Sequence, residues 1–472
     1  MKVSNFHSAS HFFARLRTLG SIAVATLFLT ATLTWAQAPA PGGGRGLSGG
    51  RGGRGFSGRG GGGGGGLRPD ADHPIMKIGS HIPDFTLPGA DGKTHSLKEW
   101  ASAKFLMIVF ECDHCPESQN YESRIKQLYE DYKGKGVQLV AINPNDPASV
   151  RLDELGYTDL EDSLPEMKIR LADRHITWPY LYDGETQSTS TKFGVVATPH
   201  VFIFDQDRNL RFEGQIDDNQ RPDLIKTKDT RAAIDELLAG KPVTVADTRV
   251  HGCSTKWKSK QVGSQSRDAE MTKLHTEPVT LDTVDADGLK KLKANDSGKV
   301  QVVTFWSSKC TTCADSIHAL ETTWRMYRLR AFTFVTVNTD PVASKDAVMA
   351  VLDKQHASTS NGTRTTGNSP QFTSKNLQLS VDLAAAQAAF GEKWKPGVMF
   401  TEVIGSDGKV LYKKEGLITK EGSFPIDSLA DATPSPDLLS LRRSILGNMP
   451  DTSGYPGNKA YWEEDYAKLA KK

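Results

Sequence analysis

The chain has 472 residues, a length sufficient for two domains of ordinary size. Its formal net charge of +2 is unevenly distributed, because residues 1–69 contain eight Lys and Arg and no Asp or Glu, whereas the remainder carries 50 basic and 56 acidic residues. This slightly acidic remainder lacks the basic surface that nucleic-acid binding requires, so we exclude nucleic acid as a partner.

The first 36 residues are typical of a secretory signal peptide. They combine a basic start that includes Lys2 and Arg17, a mostly apolar stretch at 19–33, and small residues around Ala36, after which we place the cleavage. The alternative is an uncleaved anchor, although the apolar stretch is short for a membrane-spanning helix. We therefore expect an exported protein, located in the periplasm or outside the cell.

Residues 37–74 are predicted to form a disordered linker rich in Gly and Arg. In the 25 positions of 42–66, 17 residues are Gly and four are Arg, so no hydrophobic core can form there. A random coil of this length spans on the order of 25–30 Å. The N-terminal segment could therefore tether the protein to a membrane or to another part of the envelope.

Two Cys-x-x-Cys motifs stand 198 residues apart, each in the same local pattern. An apolar run at 105–110 leads into Cys112-Asp-His-Cys115, and a similar run at 302–306 leads into Cys310-Thr-Thr-Cys313. Each motif is followed by a helical pattern, at 117–132 and from 314 to about 328, and by a second strand, at 137–142 and 331–337. The sequence thus predicts one βαβ unit in each half.

A second landmark follows each βαβ unit at nearly the same spacing. Phe193-Gly precedes Pro199 and Phe390-Gly precedes Pro396, and both prolines are followed by alternating runs separated by polar turns, which predict a hairpin. We expect a first domain at 75–258, a linker at 259–276, and a second domain at 277–425. The tail at 426–472 is predicted to contain one short helix, at 437–446.

Together these motifs resemble the thioredoxin superfamily. The segment Pro83-Asp-Phe-Thr-Leu-Pro-Gly-Ala-Asp-Gly-Lys93, followed by the first cysteine pair, is similar to the redoxin branch, which includes the alkyl hydroperoxide reductase and thiol-specific antioxidant proteins. The resemblance implies an α/β fold of two tandem thioredoxin-like domains, each a central mixed sheet flanked by helices. It also implies a thiol–disulfide oxidoreductase that needs no cofactor and acts on protein thiols and disulfides with an unidentified redox partner.

The motif also implies a role for each of its cysteines. If the cysteines lie on the first turn of a helix, its unpaired N–H groups stabilise the thiolate of the first cysteine. Cys112 and Cys310 are therefore the predicted nucleophiles, and Cys115 and Cys313 are predicted to resolve the mixed disulfide.

Neighbouring residues are expected to tune these cysteines. His114 lies inside the first pair, as in the resembling periplasmic disulfide oxidases, and favours a thiolate, whereas Glu111 and Asp113 oppose one by their charge. Lys309 favours a thiolate on Cys310. The alternative is that these are ordinary solvated loop residues.

Pro199 and Pro396 match the position of the superfamily's cis-proline, which lies beside the dithiol. Together with the preceding Thr198 and Lys395, they are predicted to position an extended substrate. Thr198 fits the family pattern, whereas Lys395 does not, so a cis bond is expected mainly at Pro199.

The sequence departs from two relatives in the superfamily. Peroxiredoxins carry Pro-x-x-x-Thr/Ser-x-x-Cys, but the positions that precede Cys112 at this spacing are Phe105 and Val109, which argues against peroxidase activity. Thioredoxins bury an Asp six residues before the first cysteine, where this chain has Leu106 and Thr304. Proton transfer must therefore use another group or water.

Several alternatives remain open. Cys253 is either a relay thiol that attacks a Cys112–Cys115 disulfide or a free, buried thiol. The protein could instead be a peroxiredoxin-like antioxidant, a copper-binding protein that uses Cys112, Cys115 and a distant His, or a scaffold with two structural disulfides. We expect no metal. Glu161, Asp162 and Glu166 are interpreted as solvated residues of a surface helix.

Overall fold

The structure, a computed structural model, describes residues 72–261, 266–360, 373–421 and 433–449. The predicted signal peptide at 1–36, nearly all of the predicted linker at 37–74 and the end of the tail, 450–472, lie outside the described residues. Within the described part of the chain, no helix is both long enough and apolar enough to cross a membrane.

The first region, residues 72–261, is built around a five-stranded sheet. Its strands are β1 (Thr86–Pro88), β2 (Thr94–Ser96), β3 (Phe105–Phe110), β4 (Val137–Asn143), β5 (Tyr180–Tyr182), β6 (Ala197–Thr198), β7 (His200–Phe204), β8 (Leu210–Gly214) and β9 (Cys253–Ser254). Its α-helices are α1 (Pro116–Tyr132), α2 (Leu164–Arg174), α3 (Ser188–Phe193) and α4 (Asp229–Leu238), and 3-10 helices lie at Leu97–Trp100, Lys133–Lys135, Pro147–Ser149, Leu152–Leu155, Pro222–Leu224 and Lys258–Gln261.

The sheet has the order β5-β4-β3-β7-β8, in which β5, β4 and β3 are parallel and β7 and β8 are antiparallel. All six residues of β3 are buried because helices and loops cover both faces of the sheet. The helical pattern predicted at 117–132 corresponds to α1, whose Tyr121, Ile125, Leu128 and Tyr132 all pack into the core on one side. The loop that contains Cys112 therefore connects the carboxyl end of β3 to the start of α1.

The second region, residues 266–421, repeats this plan around a six-stranded sheet. Its strands are β10 (Asp282–Val284), β11 (Val300–Trp306), β12 (Phe332–Asn338), β13 (Thr373–Leu379), β14 (Phe400–Ile404), β15 (Val410–Glu415) and β16 (Lys420–Glu421), and β17 (Thr433–Pro434) pairs with β16. Its helices are α5 (Arg267–Leu274), α6 (Ala286–Ala294), α7 (Cys313–Tyr327), α8 (Lys345–Lys354) and α9 (Leu383–Phe390), with a 3-10 helix at Val342–Ser344; the last helix is α10 (Pro436–Leu446).

This sheet has the order β10-β13-β12-β11-β14-β15, with four parallel strands followed by two antiparallel ones. The mixed α/β fold with two tandem thioredoxin-like regions, which the family resemblance implies, is confirmed. The segment 259–276, predicted as a linker, contains α5, whose Arg267 and Leu274 are buried.

The two regions share one hydrophobic cluster. Val150, Leu152 and Leu155 of the first region pack with residues of α7 and of α10, the helix predicted at 437–446. The residues contributed by α10 are Leu438, Leu441, Ile445 and Leu446. The C-terminal helix is therefore a structural part of the contact between the two regions.

Candidate active site

The first cysteine motif lies in the loop between β3 and α1. Helix α1 begins at Pro116 with Cys115 as its N-cap. Cys112 therefore precedes the first helical turn, whereas we predicted that it would lie on that turn. In the second region α7 begins at Cys313, and Cys310 likewise precedes the helix. Proline at the first helical position has a preset backbone angle and needs no hydrogen bond for its nitrogen, which explains the start of α1.

The cysteine pairing in the first region differs from the expected one. Cys115 forms a disulfide with Cys253, 138 residues away, and Cys112 is a buried free thiol. Strand β9 makes this pairing possible, because its Cys253 lies opposite Thr198 of β6 and is thereby brought to the start of α1. Cys253 is thus neither a free thiol nor a partner of Cys112 in this structure.

Two hydroxyl groups contact the Cys112 thiol. Its Sγ lies 2.9 Å from Oγ1 of Thr198 and 3.6 Å from Oγ of Ser118. Only 5% of Cys112 is exposed. The predicted positioning residue Thr198 therefore contacts the predicted nucleophile, Cys112.

His114 is held beside Cys112 by a buried carboxylate. Its Nδ1 lies 2.5 Å from Oδ2 of Asp162, and the other oxygen of Asp162 accepts backbone N–H groups of Asp113 and His114 at 2.8 and 3.1 Å. Burial by itself lowers the pKa of His114, but the negative charges of Asp162 and Cys112 raise it to about 10. His114 is therefore an imidazolium at neutral pH, so a positive charge lies next to Cys112.

Asp162 was interpreted from the sequence as a solvated residue, and this interpretation is wrong. Its side chain is fully buried, as are those of Glu161 and Glu166, because they lie in and after a loop that is covered by the second region. His114 holds the pKa of Asp162 well below its usual range, even though burial opposes this. A run of three carboxylates just before a helix, Asp159 to Asp162, is the signal that could have identified this loop.

Glu111 and Asp113 are buried rather than solvated, and burial changes their charge. It raises the pKa of Glu111 to about 8, and Trp178 donates a hydrogen bond of 3.4 Å to its carboxyl. Burial also raises the pKa of Asp113 to about 7, with Arg170 opposing the shift. Glu111 is therefore mostly uncharged at pH 7. Contrary to our expectation, it does not oppose a thiolate by its charge.

A small cleft opens beside Cys112. It is lined by Glu111, Cys112, Asp113, Ser118, Gln119, Glu122, Arg170, Ile176 and Tyr180. Tyr180 donates a hydrogen bond of 2.9 Å to Asp113 Oδ1, and Arg170 donates one of 3.0 Å to the Asp113 carbonyl oxygen. Sequence reasoning missed Arg170 and Tyr180, because 57 and 67 residues separate them from Asp113.

The second cysteine motif forms a disulfide, Cys310–Cys313, as the Cys-x-x-Cys spacing predicts. Cys310 is partly exposed, whereas Cys313 is fully buried. The loop before Cys310 is held by Asp340, which accepts hydrogen bonds from the hydroxyls of Ser307 and Ser308, each at 2.6 Å. Lys309 is exposed at the surface.

The two predicted cis-proline positions differ. The Thr198–Pro199 bond is cis, as expected, and among the described residues it is the only cis peptide bond, so Lys395–Pro396 is trans. Both Lys395 and Pro396 are exposed, and Lys395 Nζ lies 3.6 Å from Glu415 Oε1. The structure thus brings Thr198 and Pro199 to a cysteine, whereas their counterparts in the second region lie at the surface.

Cys112, His114 and Asp162 could also be considered as metal ligands. Their potential ligand atoms all lie within 4.8 Å of one another. However, the oxygens of Asp162 already accept hydrogen bonds from two backbone N–H groups, from His114 and from Asn145 Nδ2. Cys115, a ligand of the copper site considered above, is bound to Cys253. We therefore interpret Asp162 as the residue that orients His114.

Two family profiles match the chain. The AhpC/TSA family profile matches residues 78–213, and the Redoxin profile matches residues 264–425. This chain is a thioredoxin-superfamily redoxin with two tandem regions. Each matched segment contains nearly all of one central sheet, so the redoxin repeat inferred from the motifs corresponds to two folded regions.

The redoxin is similar to named proteins over short segments. It is 29% identical over 77 residues to a thiol-disulfide oxidoreductase ResA of Halalkalibacterium halodurans, covering 16% of this chain and 43% of that protein. It is 32% identical over 130 residues to a chloroplastic peroxiredoxin Q of Triticum aestivum, covering 23% of this chain and 60% of that protein. The chain thus spans about half the length of these curated relatives.

A solved structure of a hypothetical protein from Sinorhizobium meliloti 1021 is 30% identical to the redoxin. The match covers 40% of this chain and 98% of that chain, with a TM-score of 0.35.

Proposed function

We propose that this redoxin is an exported thiol–disulfide oxidoreductase that exchanges electrons with protein thiols and disulfides. The observation that carries the proposal is the grouping of a thiol and a disulfide around Thr198. Its hydroxyl contacts Cys112, and its backbone pairs with that of Cys253, which is bonded to Cys115. A nucleophile and an exchangeable disulfide within one site are what thiol–disulfide exchange requires.

At the first site, Cys112 is the proposed nucleophile. Its thiolate attacks one sulfur of a substrate disulfide, the substrate S–S bond breaks, and the other substrate sulfur leaves as a thiolate that takes up a proton. His114, held by Asp162, stabilises the attacking thiolate, and the protonated carboxyl of Glu111 lines the same cleft. Resolution needs a second thiol, for which Cys115 is the candidate after a dithiol of the redox partner has reduced the Cys115–Cys253 bond and become a disulfide itself. The Cys115 thiolate then attacks Cys112 Sγ, a Cys112–Cys115 disulfide forms, and the substrate leaves as its second thiol.

At the second site, the unequal exposure of the two cysteines favours attack on Cys310. A substrate thiolate that attacks Cys310 Sγ displaces the buried Cys313 as the leaving thiolate. A second substrate thiolate then releases a substrate disulfide, so that the substrate loses two electrons and Cys310 and Cys313 become a dithiol. The reverse sequence reduces a substrate disulfide.

A redox titration of each disulfide tests this function. The protein is equilibrated in glutathione buffers of graded potential, alkylated without unfolding, and analysed by peptide mass spectrometry. We expect reversible conversion of Cys310–Cys313 and of Cys115–Cys253 within the physiological range. Disulfides that resist reduction until the protein unfolds would instead indicate a structural scaffold. Single Cys112→Ser and Cys310→Ser variants test whether the two sites pass electrons to each other, because a relay requires that both lose turnover with the same electron donor.

Peroxide reduction is a second candidate function, which a specific observation favours. Cys112 is a single thiol in contact with the hydroxyls of Thr198 and Ser118. These contacts favour peroxide reduction, because a peroxide-reducing cysteine needs hydrogen-bonding groups for the departing oxygen. In this reaction the thiolate attacks one peroxide oxygen, the O–O bond breaks, and Cys112 becomes a sulfenic acid while water or an alcohol leaves. Trapping of a sulfenic acid on Cys112 by dimedone after addition of hydrogen peroxide, but not in Cys112→Ser, tests this function.

Export is supported by the N-terminal sequence pattern. A fusion that carries residues 1–36 before a reporter active only outside the cytoplasm tests it, with the same reporter lacking these residues as the control. Activity of both fusions at the same level would contradict export.

A further inference from the structure

The loop at residues 158–163, here called the Asp162 loop, reaches Cys112 and its neighbours by two routes. Asp162 binds His114 directly. Asp159 lies 3.9 Å from Arg170 Nη2, and Arg170 in turn donates a hydrogen bond of 3.0 Å to the carbonyl oxygen of Asp113. The tripeptide Cys112-Asp113-His114 is therefore contacted at two of its three residues from this one loop.

The other side of the Asp162 loop is held by residues from distant parts of the chain. The contacts are Tyr327 Oη to the Thr158 carbonyl oxygen at 2.9 Å, Arg442 Nη1 to the Asp159 carbonyl oxygen at 3.1 Å, Arg443 Nε to Asp159 Oδ2 at 2.8 Å, and Arg267 Nη1 to Glu161 Oε2 at 2.8 Å. Arg443 also donates to Asp173 in α2. Two of these side chains belong to α10, one to α7 and one to α5, so these four contacts tie the loop to the second region and the C-terminal helix.

Burial makes these contacts strong determinants of the loop conformation. At most 1% of Thr158, Asp159 and Asp162 is exposed, and Arg442 is fully buried. In such surroundings a charge-assisted hydrogen bond is short and directional, and the loss of one partner leaves the other charge buried and uncompensated. A change on α10 is therefore expected to move the loop rather than to be absorbed by water.

We propose that α10, through Arg442 and Arg443, is a positioning element for the Cys112 nucleophile. It fixes the Asp162 loop, and the loop fixes the imidazole of His114 and the backbone of Asp113, the two residues that follow Cys112. Neither arginine touches Cys112, so both are positioning residues. This inference rests on the proposed function only in taking Cys112 as the reactive thiol.

The test uses the full chain and measures the alkylation of Cys112 by iodoacetamide between pH 5 and 10. Cys112 is the free cysteine of the described structure, so peptide mass spectrometry assigns its modification directly. Because a misplacement of about 1 Å can cost a site up to about a hundredfold in rate, we expect Arg443→Gln to slow alkylation at pH 7 by about tenfold and to change the shape of the pH profile. Arg443→Lys, which keeps the charge, should restore part of the rate.

Arg231→Gln is the matched control. Arg231 also donates to a carboxylate, Asp131 at 2.5 Å, but it lies on α4, and none of its contacts given by the structure involves the Asp162 loop. Circular dichroism and thermal unfolding verify that each variant is folded. A folded Arg443→Gln with the wild-type pH profile would overturn the proposal.

Tyr327→Phe provides a second variant in case Arg443→Gln does not fold. It removes one hydroxyl and its hydrogen bond to Thr158, and the proposal requires a smaller change of the pH profile in the same direction. An unchanged profile in a folded Tyr327→Phe variant would also overturn it. Because alkylation reports the thiol and not turnover, a failure of the oxidoreductase function leaves this readout intact and is recognised separately by the redox titration.

Discussion

Cys112 Sγ lies 2.9 Å from the hydroxyl oxygen of Thr198, a residue 86 positions away in the chain. The contact forms because β3 and β7 pair antiparallel, with Phe110 opposite His200. The last residue of β3 therefore lies beside the first residue of β7. The residue that comes just before the cis-proline is thereby placed against the sulfur.

This contact predicts that the Thr198 hydroxyl supports the reactivity of Cys112. Thr198→Val keeps the shape of the side chain and removes the hydroxyl, and we expect alkylation of Cys112 at pH 7 to slow by about tenfold, since a hydrogen bond to a charged group is worth roughly 1.5–3 kcal/mol. The rate is measured by peptide mass spectrometry with limiting iodoacetamide. Thr198→Ser keeps the hydroxyl and should react at close to the wild-type rate; equal rates in the Val variant and the wild type would show that the contact is incidental.

The His114–Asp162 pair predicts a pH-dependent contribution to stability. The folded state raises the pKa of His114 from 6.5 to about 10, so the stabilisation is complete below about pH 6.5 and is lost as the pH rises through about 10. The difference in free energy of unfolding between wild type and His114→Gln should therefore shrink by at least about 1 kcal/mol between pH 6 and pH 9. Urea unfolding at the two pH values measures it. A difference that stays constant, or grows with pH, would contradict an imidazolium at this position.

Glu111 predicts the opposite sign of pH dependence from an ordinary carboxylate. Its pKa is raised by burial from 4.5 to about 8, so the folded state binds the proton more tightly than the unfolded chain, and wild-type stability falls as the pH rises through this range. Glu111→Gln imitates the protonated acid and can still accept the Trp178 hydrogen bond. Relative to wild type, it should gain at least about 1 kcal/mol in free energy of unfolding between pH 5 and pH 8.5.

Denaturant unfolding at both pH values tests this prediction. Glu130→Gln, a substitution at an exposed residue, controls for the general effect of removing a carboxylate. If Glu111→Gln loses stability relative to wild type at the higher pH, Glu111 is charged in the folded protein.

The Cys115–Cys253 disulfide predicts a large effect of one substitution on stability. The bond joins residues 138 positions apart, and closing a loop of this size in the unfolded chain is worth up to about 5 kcal/mol in the chain-entropy view, with 2–5 kcal/mol usual for a native disulfide. Cys253→Ser should lower the free energy of unfolding by roughly this amount under oxidising conditions, as measured by urea unfolding.

The second disulfide of the chain supplies the control. Cys310–Cys313 spans three positions, so Cys310→Ser should change the free energy of unfolding much less. The effect of Cys253→Ser should also disappear in the presence of a strong reductant. An equal loss of stability in both variants would contradict the role of loop length.

The fold could be predicted from the sequence because its signals are local. The apolar run at 105–110 and the helical spacing of Tyr121, Ile125 and Leu128 indicate burial from residues that are close together in the sequence. The strand and the helix predicted from them begin and end within a few residues of the predicted bounds. The repeat of these patterns at a spacing of 198 residues then identifies the second region.

The chemistry of the site could not be predicted in the same way, because it depends on contacts between distant residues. Whether Cys115 pairs with Cys112 or with Cys253 depends on the pairing of β6 with β9, two strands of two residues each with no recognisable pattern. The charge of Glu111 depends on its burial, and the burial of Asp162 depends on the second region that covers its loop. A window of sequence around any of these residues contains none of this information.

The hydrophobic cluster shared by the two regions bears on how this protein could have arisen and how it can be divided. A tandem repeat in which each copy folds by itself can be cut between the copies. Here, however, Val150, Leu152 and Leu155 of the first copy belong to the same buried cluster as Trp324 and Leu441 of the later half of the chain. A fragment that stops near residue 261 would expose this apolar face to water and would leave Asp159 without Arg443 and Glu161 without Arg267. The duplication has therefore become interdependent, so that neither copy is expected to behave as an autonomous module.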